Sequence, residues 1–134
     1  MDDDGRTSDR LPDDAIAVRY GVTVDHERMS VAAHTTHLRH GYWGISMWTH
    51  AGMTPHEIAS AIAPITGVYK GKLRWTRVGA LRAAGFAIAD LRSDGHFNLR
   101  VATRPNRQTW ETLDALLSEP ERFEVGNPKG VGTE

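Results

Sequence analysis

Tyr42-Trp43-Gly44-Ile45-Ser46-Met47-Trp48-Thr49, followed four residues later by Thr54-Pro55-His56-Glu57-Ile58-Ala59, is the stretch that decides the fold. In its first half Trp43, Ile45 and Met47 alternate with Gly44, Ser46 and Trp48, which is the period of a strand. The aromatic and β-branched content suits a well-buried one. The second half is a helix start, with Thr54 as N-cap, Pro55 at the first helical position and Glu57 completing a capping box. Ile58, Ala59, Ile62 and Ile65 then carry an apolar stripe, and Pro64 is expected to end the regular helix. A buried strand running directly into an amphipathic helix calls for a sheet with helices laid on it.

Working outward, Ala15 to Val24 is rich in β-branched residues and reads as a strand, with Gly21 as a bulge or close backbone contact. Asp25 to His40 reads as a helix whose stripe is Met29, Ala32, Ala33 and Thr36, ending at Gly41. Lys72 to Thr76 reads as a short strand, after which Thr76 would cap a helix over Arg77 to Ala84. Phe86 to Leu91 and His96 to Ala102 form a hairpin around Arg92-Ser93-Asp94-Gly95. On its second strand Phe97, Leu99 and Val101 share one face, while His96, Asn98 and Arg100 share the face expected to meet solvent or a partner. A last helix over Arg107 to Ser118 buries Trp110, Leu113, Leu116 and Leu117. The fold expected is α+β: a small, mainly antiparallel sheet of about five strands with three to four helices packed on one face. Residues 15–123 would form the single domain. Residues 1–14 read as a disordered acidic tail, and 124–134 as a flexible C-terminal tail.

The charge is strongly segregated. Residues 1–27 carry eight acids against three bases, and 108–134 carry six against two. The segment between holds eleven bases and three acids, Glu57, Asp90 and Asp94. From Ile58 to Ala89 there is no acid, and there Lys70, Lys72, Arg74, Arg77 and Arg82 cluster with Tyr69 and Trp75. Cations interleaved with aromatics make a nucleic-acid footprint. Along a strand Lys70, Lys72 and Arg74 would line one face at about the spacing of phosphates, with Tyr69 or Trp75 available to stack on bases. Nucleic acid, RNA or DNA, is therefore the expected partner, and an acidic protein is the alternative.

Six of the seven histidines also lie in the basic segment. A metal-independent ribonuclease of the small-toxin type is the enzyme reading, since 2′-hydroxyl attack needs an acid, a base and a cation. Its candidates are His34, His37 and His96, with Arg39, Arg100 and a base from the Lys70–Arg77 run. The three-residue spacing of His34, His37 and His40 does not converge on one ion, and no cysteine is present. Neither a metal nor another cofactor is expected, and disulfides and a cysteine nucleophile are excluded. No signal segment follows Met1 and no run is long enough to cross a bilayer, so no membrane partner and a cytoplasmic location are expected.

Two resemblances are local. His34-x-Thr36 and His96-x-Asn98 are similar to the paired H-x-[ST] motifs of two-histidine phosphoesterases, with Asn98 where that family has Ser or Thr. Gly52 to Ala59, Gly67 to Lys70 and Leu81 to Phe86, followed by a hairpin, resemble winged helix-turn-helix regulators. That likeness implies a recognition helix over Lys70 to Arg82 and a wing tip at Arg92 to Gly95.

Overall fold

The computed structural model describes residues 11–101 and 103–126. Along the chain run β1 (Ile16–Tyr20), α1 (His26–His40), β2 (Trp43–Thr49), α2 (Pro55–Thr66) and β3 (Lys70–Arg77). After them come α3 (Val78–Ala83), β4 (Ala87–Ala89), β5 (His96–Val101), α4 (Arg107–Leu116) and β6 (Glu121–Glu124). The six strands make one antiparallel sheet in the order β4-β5-β2-β1-β3-β6. The fold is α+β as expected, with one strand more than the sequence announced. That strand is β6, whose four residues Glu121-Arg122-Phe123-Glu124 carry one buried apolar side chain and so give almost no periodic signal. The helices are not all on one face as expected, since α2 packs opposite the others.

Strand alternation builds two cores. On one face Ala17, Ile45, Met47, Ile88, Phe97, Leu99 and Val101 meet α1, α3 and α4 through Met29, Ala33, Leu81, Trp110 and Leu113. On the other, Ile16, Val18, Leu73 and Phe123 meet α2 through Ile58, Ala59 and Ile62. Ile58 and Ile62 are fully buried, and burial of such a side chain stabilises by about 1.5–3 kcal/mol. No residue of β4 or β5 belongs to this second cluster. The half of that face carrying Gly44, Ser46, His96, Asn98 and Arg100 thus lies outside the α2 packing, and this asymmetry places the site.

The helix ends follow the sequence signals closely. Asp25 accepts from the backbone N–H of Glu27 and Arg28, and Gly41 closes α1 in the left-handed region at φ 84°. Thr54 and Glu57 form the capping box of α2. Pro64, however, lies inside α2, which runs on to Thr66 and closes at Gly67. The ring removes one donor near the helix end, and the carbonyl it would have served, on Ser60, belongs to an exposed residue. Ile65, expected in the stripe, is correspondingly exposed.

Thr76 caps nothing. It is buried in β3 opposite Ala17, and α3 begins beyond Arg77 with no side-chain cap. The winged-helix alternative fails at the same place, because most of its recognition helix is β3, paired to β1 and β6.

At the N-terminal side Leu11 is already buried in the larger core, so the packed chain begins within the segment read as a tail. Residues 1–10 and 127–134, the rest of the two expected tails, lie outside the described residues. No helix among the described residues is long and apolar enough to cross a membrane.

Candidate functional site

The basic strip is divided between the two faces of the sheet. Trp75 packs with Leu73 on the α2 side, and Arg77 stands over the Trp75 ring with its guanidinium carbon 5.9 Å from the centroid. Arg74 goes the other way, to the end of α4. There it donates to the carbonyl oxygens of Ser118, at 2.7 Å, and Asp114, at 3.2 Å, and ion-pairs with the Asp114 carboxylate. A guanidinium on these last carbonyls acts as a C-terminal cap and opposes the negative end of the helix dipole.

Arg77 and Arg82 also turn toward their own chain. Arg77 Nη1 donates to Asp14 O at 2.7 Å. Arg82 Nη1 lies 2.8 Å from Asp13 Oδ1 and 2.7 Å from Leu11 O. Trp75 Nε1 donates to Glu121 at 2.8 Å. Lys72 faces Arg122 across the β3–β6 pair and Lys70 faces Glu124, both lysines exposed, while Tyr69 is half-buried. Acids from the two acidic ends of the sequence thus hold Arg74 and Arg82.

The histidine set separates too. His34 and His37 stack on Trp43, with ring centroids 5.9 and 4.1 Å away, and Arg104 covers the same ring at 5.7 Å. Trp43 packs on the larger core, whereas His96 and Arg100 lie on the opposite face. His40 turns toward that second side, its ring 5.6 Å from Tyr42. Among the described residues no group of three His, Asp or Glu is placed to hold a metal.

What gathers around His96 is a different set of side chains. β1 pairs with β2 only at Thr49 and Trp48. The remainder of β2 pairs with β5 and has α1 packed against it. Arg19 reaches across the parting strands to donate to Ser46 O at 2.9 Å. The result is a cleft of about 620 Å³ between Thr36, Arg39 and His40 of α1 and Ser46, His96 and Asn98 of the sheet, closed at one end by Asp90 to Arg92.

The cross-strand neighbours of β2 and β5 set its chemistry. His96 Nε2 is 3.0 Å from Ser46 Oγ. Its ring edge rests on Trp48, centroids 5.0 Å apart, and its backbone N–H donates to Asp94 Oδ1 at 3.0 Å. Burial, and then the charge of Arg92, hold the His96 pKa below the ordinary histidine value, with Asp94 opposing. The shift favours the neutral imidazole.

Beside it, Asn98 Nδ2 donates to the Tyr42 hydroxyl at 2.9 Å, and that hydroxyl donates to the Asp90 carboxylate. Burial and the Asp90 hydrogen bond push the Tyr42 pKa far above the usual tyrosine range, so this hydroxyl stays a donor. Arg100 lies over the Tyr42 ring at 5.1 Å.

Two backbone features make the arrangement possible. Asp90 is the one described non-glycine residue at positive φ, 55°, a conformation that costs free energy and that Asp tolerates better than most residues. Gly44 gives the Tyr42 ring its bed: a Cβ there would sit 2.9 Å from Leu99 O and 3.3 Å from the ring.

Sequence reasoning had marked His96, Arg100 and Arg39 but not Ser46, Asp90, Tyr42 or Arg92. The first three of these come into register only when β2 is paired with β5 and β4, and the signal that could have found them is the YWGISMWT alternation set against HFNLRV. Compared with known protein families, with curated proteins and with solved structures, the chain shows no match.

Proposed function

We propose that the protein binds nucleic acid and that the phosphates enter the cleft between α1 and the open half of the sheet. The observation that carries this reading is the electrostatic make-up of the cleft. Arg39 on α1 and Arg92 at the closed end, both exposed, line the cleft, with Arg100 nearby over the Tyr42 ring. The one carboxylate among the lining residues, Asp90, is tied to Tyr42. Two guanidiniums lining a cleft that also holds hydroxyl and amide groups match a phosphodiester, which offers acceptors and a full negative charge. The Lys70–Arg82 run is the weaker surface, because Arg74 and Arg82 are matched by acids of the same chain.

The test is binding of fluorescein-labelled single-stranded RNA and DNA, followed by anisotropy over a range of salt. Each phosphate contact on a single strand contributes a slope of about −0.7 in log K against log salt. Arg39→Ala with Arg92→Ala should flatten the slope by roughly 1.4 and weaken binding, while Lys70→Ala with Lys72→Ala should leave both nearly unchanged. Absence of binding at low salt would overturn the reading. So would loss of binding in the lysine variant with the arginine variant intact.

A further inference from the structure

We infer that the cleft cleaves RNA, with His96 as the base that removes the proton from a ribose 2′-hydroxyl. The inference rests on the cleft being where nucleic acid binds, and adds a reaction to it.

Three features of the site carry it. First, His96 Nε2 already has a hydroxyl at hydrogen-bonding distance, Ser46 Oγ at 3.0 Å, on an exposed residue of the sheet face. An incoming ribose hydroxyl that displaces the Ser46 hydroxyl meets the same nitrogen. Second, the imidazole is held by Trp48 against its ring and by Asp94 on its backbone, with Ser46 at Nε2 until the ribose hydroxyl takes its place. A general base held in one orientation is worth about a hundredfold or more in rate. Third, Arg39 and Arg92 lie on the walls of the same cleft, where they meet the charge that builds on the phosphoryl oxygens in the transition state.

The step balances without a metal, a water or a redox partner. The 2′-oxygen, losing its proton to His96 Nε2, attacks phosphorus and forms the O2′–P bond. The P–O5′ bond breaks, and the leaving 5′-oxygen takes a proton from His40, the other imidazole of the cleft. The products are a 2′,3′-cyclic phosphate and a 5′-hydroxyl, and the pair of imidazoles ends with its protons exchanged. Ser46 is a positioning residue here. It orients the ring and is not a nucleophile, which separates this chemistry from that of a serine hydrolase.

The experiment uses the full chain with a short single-stranded RNA in the presence of EDTA, and the same sequence as DNA. Binding is read by anisotropy and cleavage by gel, with the ends identified by mass spectrometry. The expected result is cleavage of RNA to cyclic phosphate ends, with the DNA bound but intact. His96→Ala should lower turnover about a hundredfold or more, with RNA affinity within about twofold of the wild type. That retained affinity shows the variant to be folded. Ser46→Ala should lower turnover less and shift its pH profile.

RNA bound but left intact by the wild type would overturn the cleavage and leave the binding reading standing. Neither binding nor cleavage would overturn both. Cleavage that survives a 2′-deoxy substitution at the scissile position, or that survives His96→Ala, would overturn the role given to His96.

Discussion

Two parts of this molecule are dense in arginine, and they use it in opposite ways. Along β3 and α3, Arg74, Arg77 and Arg82 are turned onto their own chain, onto Asp114 and the end of α4, onto the Asp14 carbonyl, and onto Asp13. Around the cleft, Arg39 and Arg92 are exposed lining residues, and the lining carboxylate is bound to a tyrosine. The first group holds the two ends of the packed chain to the sheet. The second leaves a positive field in a concave place. A count of charges along the sequence treats the two groups alike, yet Arg74 and Arg82 are matched by acids of their own chain while Arg39 and Arg92 line a cleft.

The contrast can be broken most easily at Arg74. Its side chain is only 12% exposed and its partner Asp114 is about half exposed. Arg74→Ala strands the α4 carbonyls and should cost about 2–3 kcal/mol, toward the low end for a buried pair because of that exposure. Thermal unfolding should then fall by roughly 10 °C while nucleic-acid affinity per folded molecule is unchanged. A large loss of affinity without loss of stability would place Arg74 with the ligand-facing arginines after all.

Next in size is Gly44→Ala. The added methyl meets a backbone carbonyl and the Tyr42 ring, and overpacking of this kind costs about 1–3 kcal/mol. Because the shift falls on the Tyr42–Asn98–Asp90 chain beside His96, the proposed RNA cleavage should slow along with the loss of stability. A variant of wild-type stability and activity would mean that the ring is not held as described.

The smallest effect is one of pH, and its sign is fixed. The folded pKa of His96 lies below the ordinary value of 6.5, so between the two values the unfolded chain binds more protons than the native one. Stability therefore rises with pH through that window and is flat with respect to this group above about 6.5. His96→Asn should remove that part of the slope, measured as the difference in unfolding midpoints between acidic and neutral buffers. An unchanged slope would contradict the burial of the imidazole.

How much of this was legible in the sequence depended on whether a feature was local. Asp25, Gly41, Thr54, Pro55 and Glu57 announce helix ends through bonds made within a few residues, and those ends appear where they were expected. Tyr42 to Thr49 and His96 to Val101 show their strands through side-chain alternation. The β3–α3 region was harder. Its cations alternate as a strand should, but their partners lie 40 or more residues away, at Asp114 and in the chain before β1. The site was half-legible for the same reason. His96 and Arg100 share a face by parity alone, whereas Ser46, Tyr42 and Asp90 join them only through the pairing of β2, β5 and β4. His34 and His37 are set apart from His96, because Trp43, six residues beyond His37, offers their rings a stacking partner on the other side of the sheet.

The most direct measurement is photo-crosslinking of the full chain to thiouridine-substituted RNA, with the modified peptides identified by mass spectrometry. Adducts on β2, β5 and the C-terminal half of α1, around Trp48, His96 and Arg39, are the expected result. Adducts confined to Tyr69 through Arg82 would contradict the account, because they would show the ligand on the surface whose arginines the protein has already turned inward.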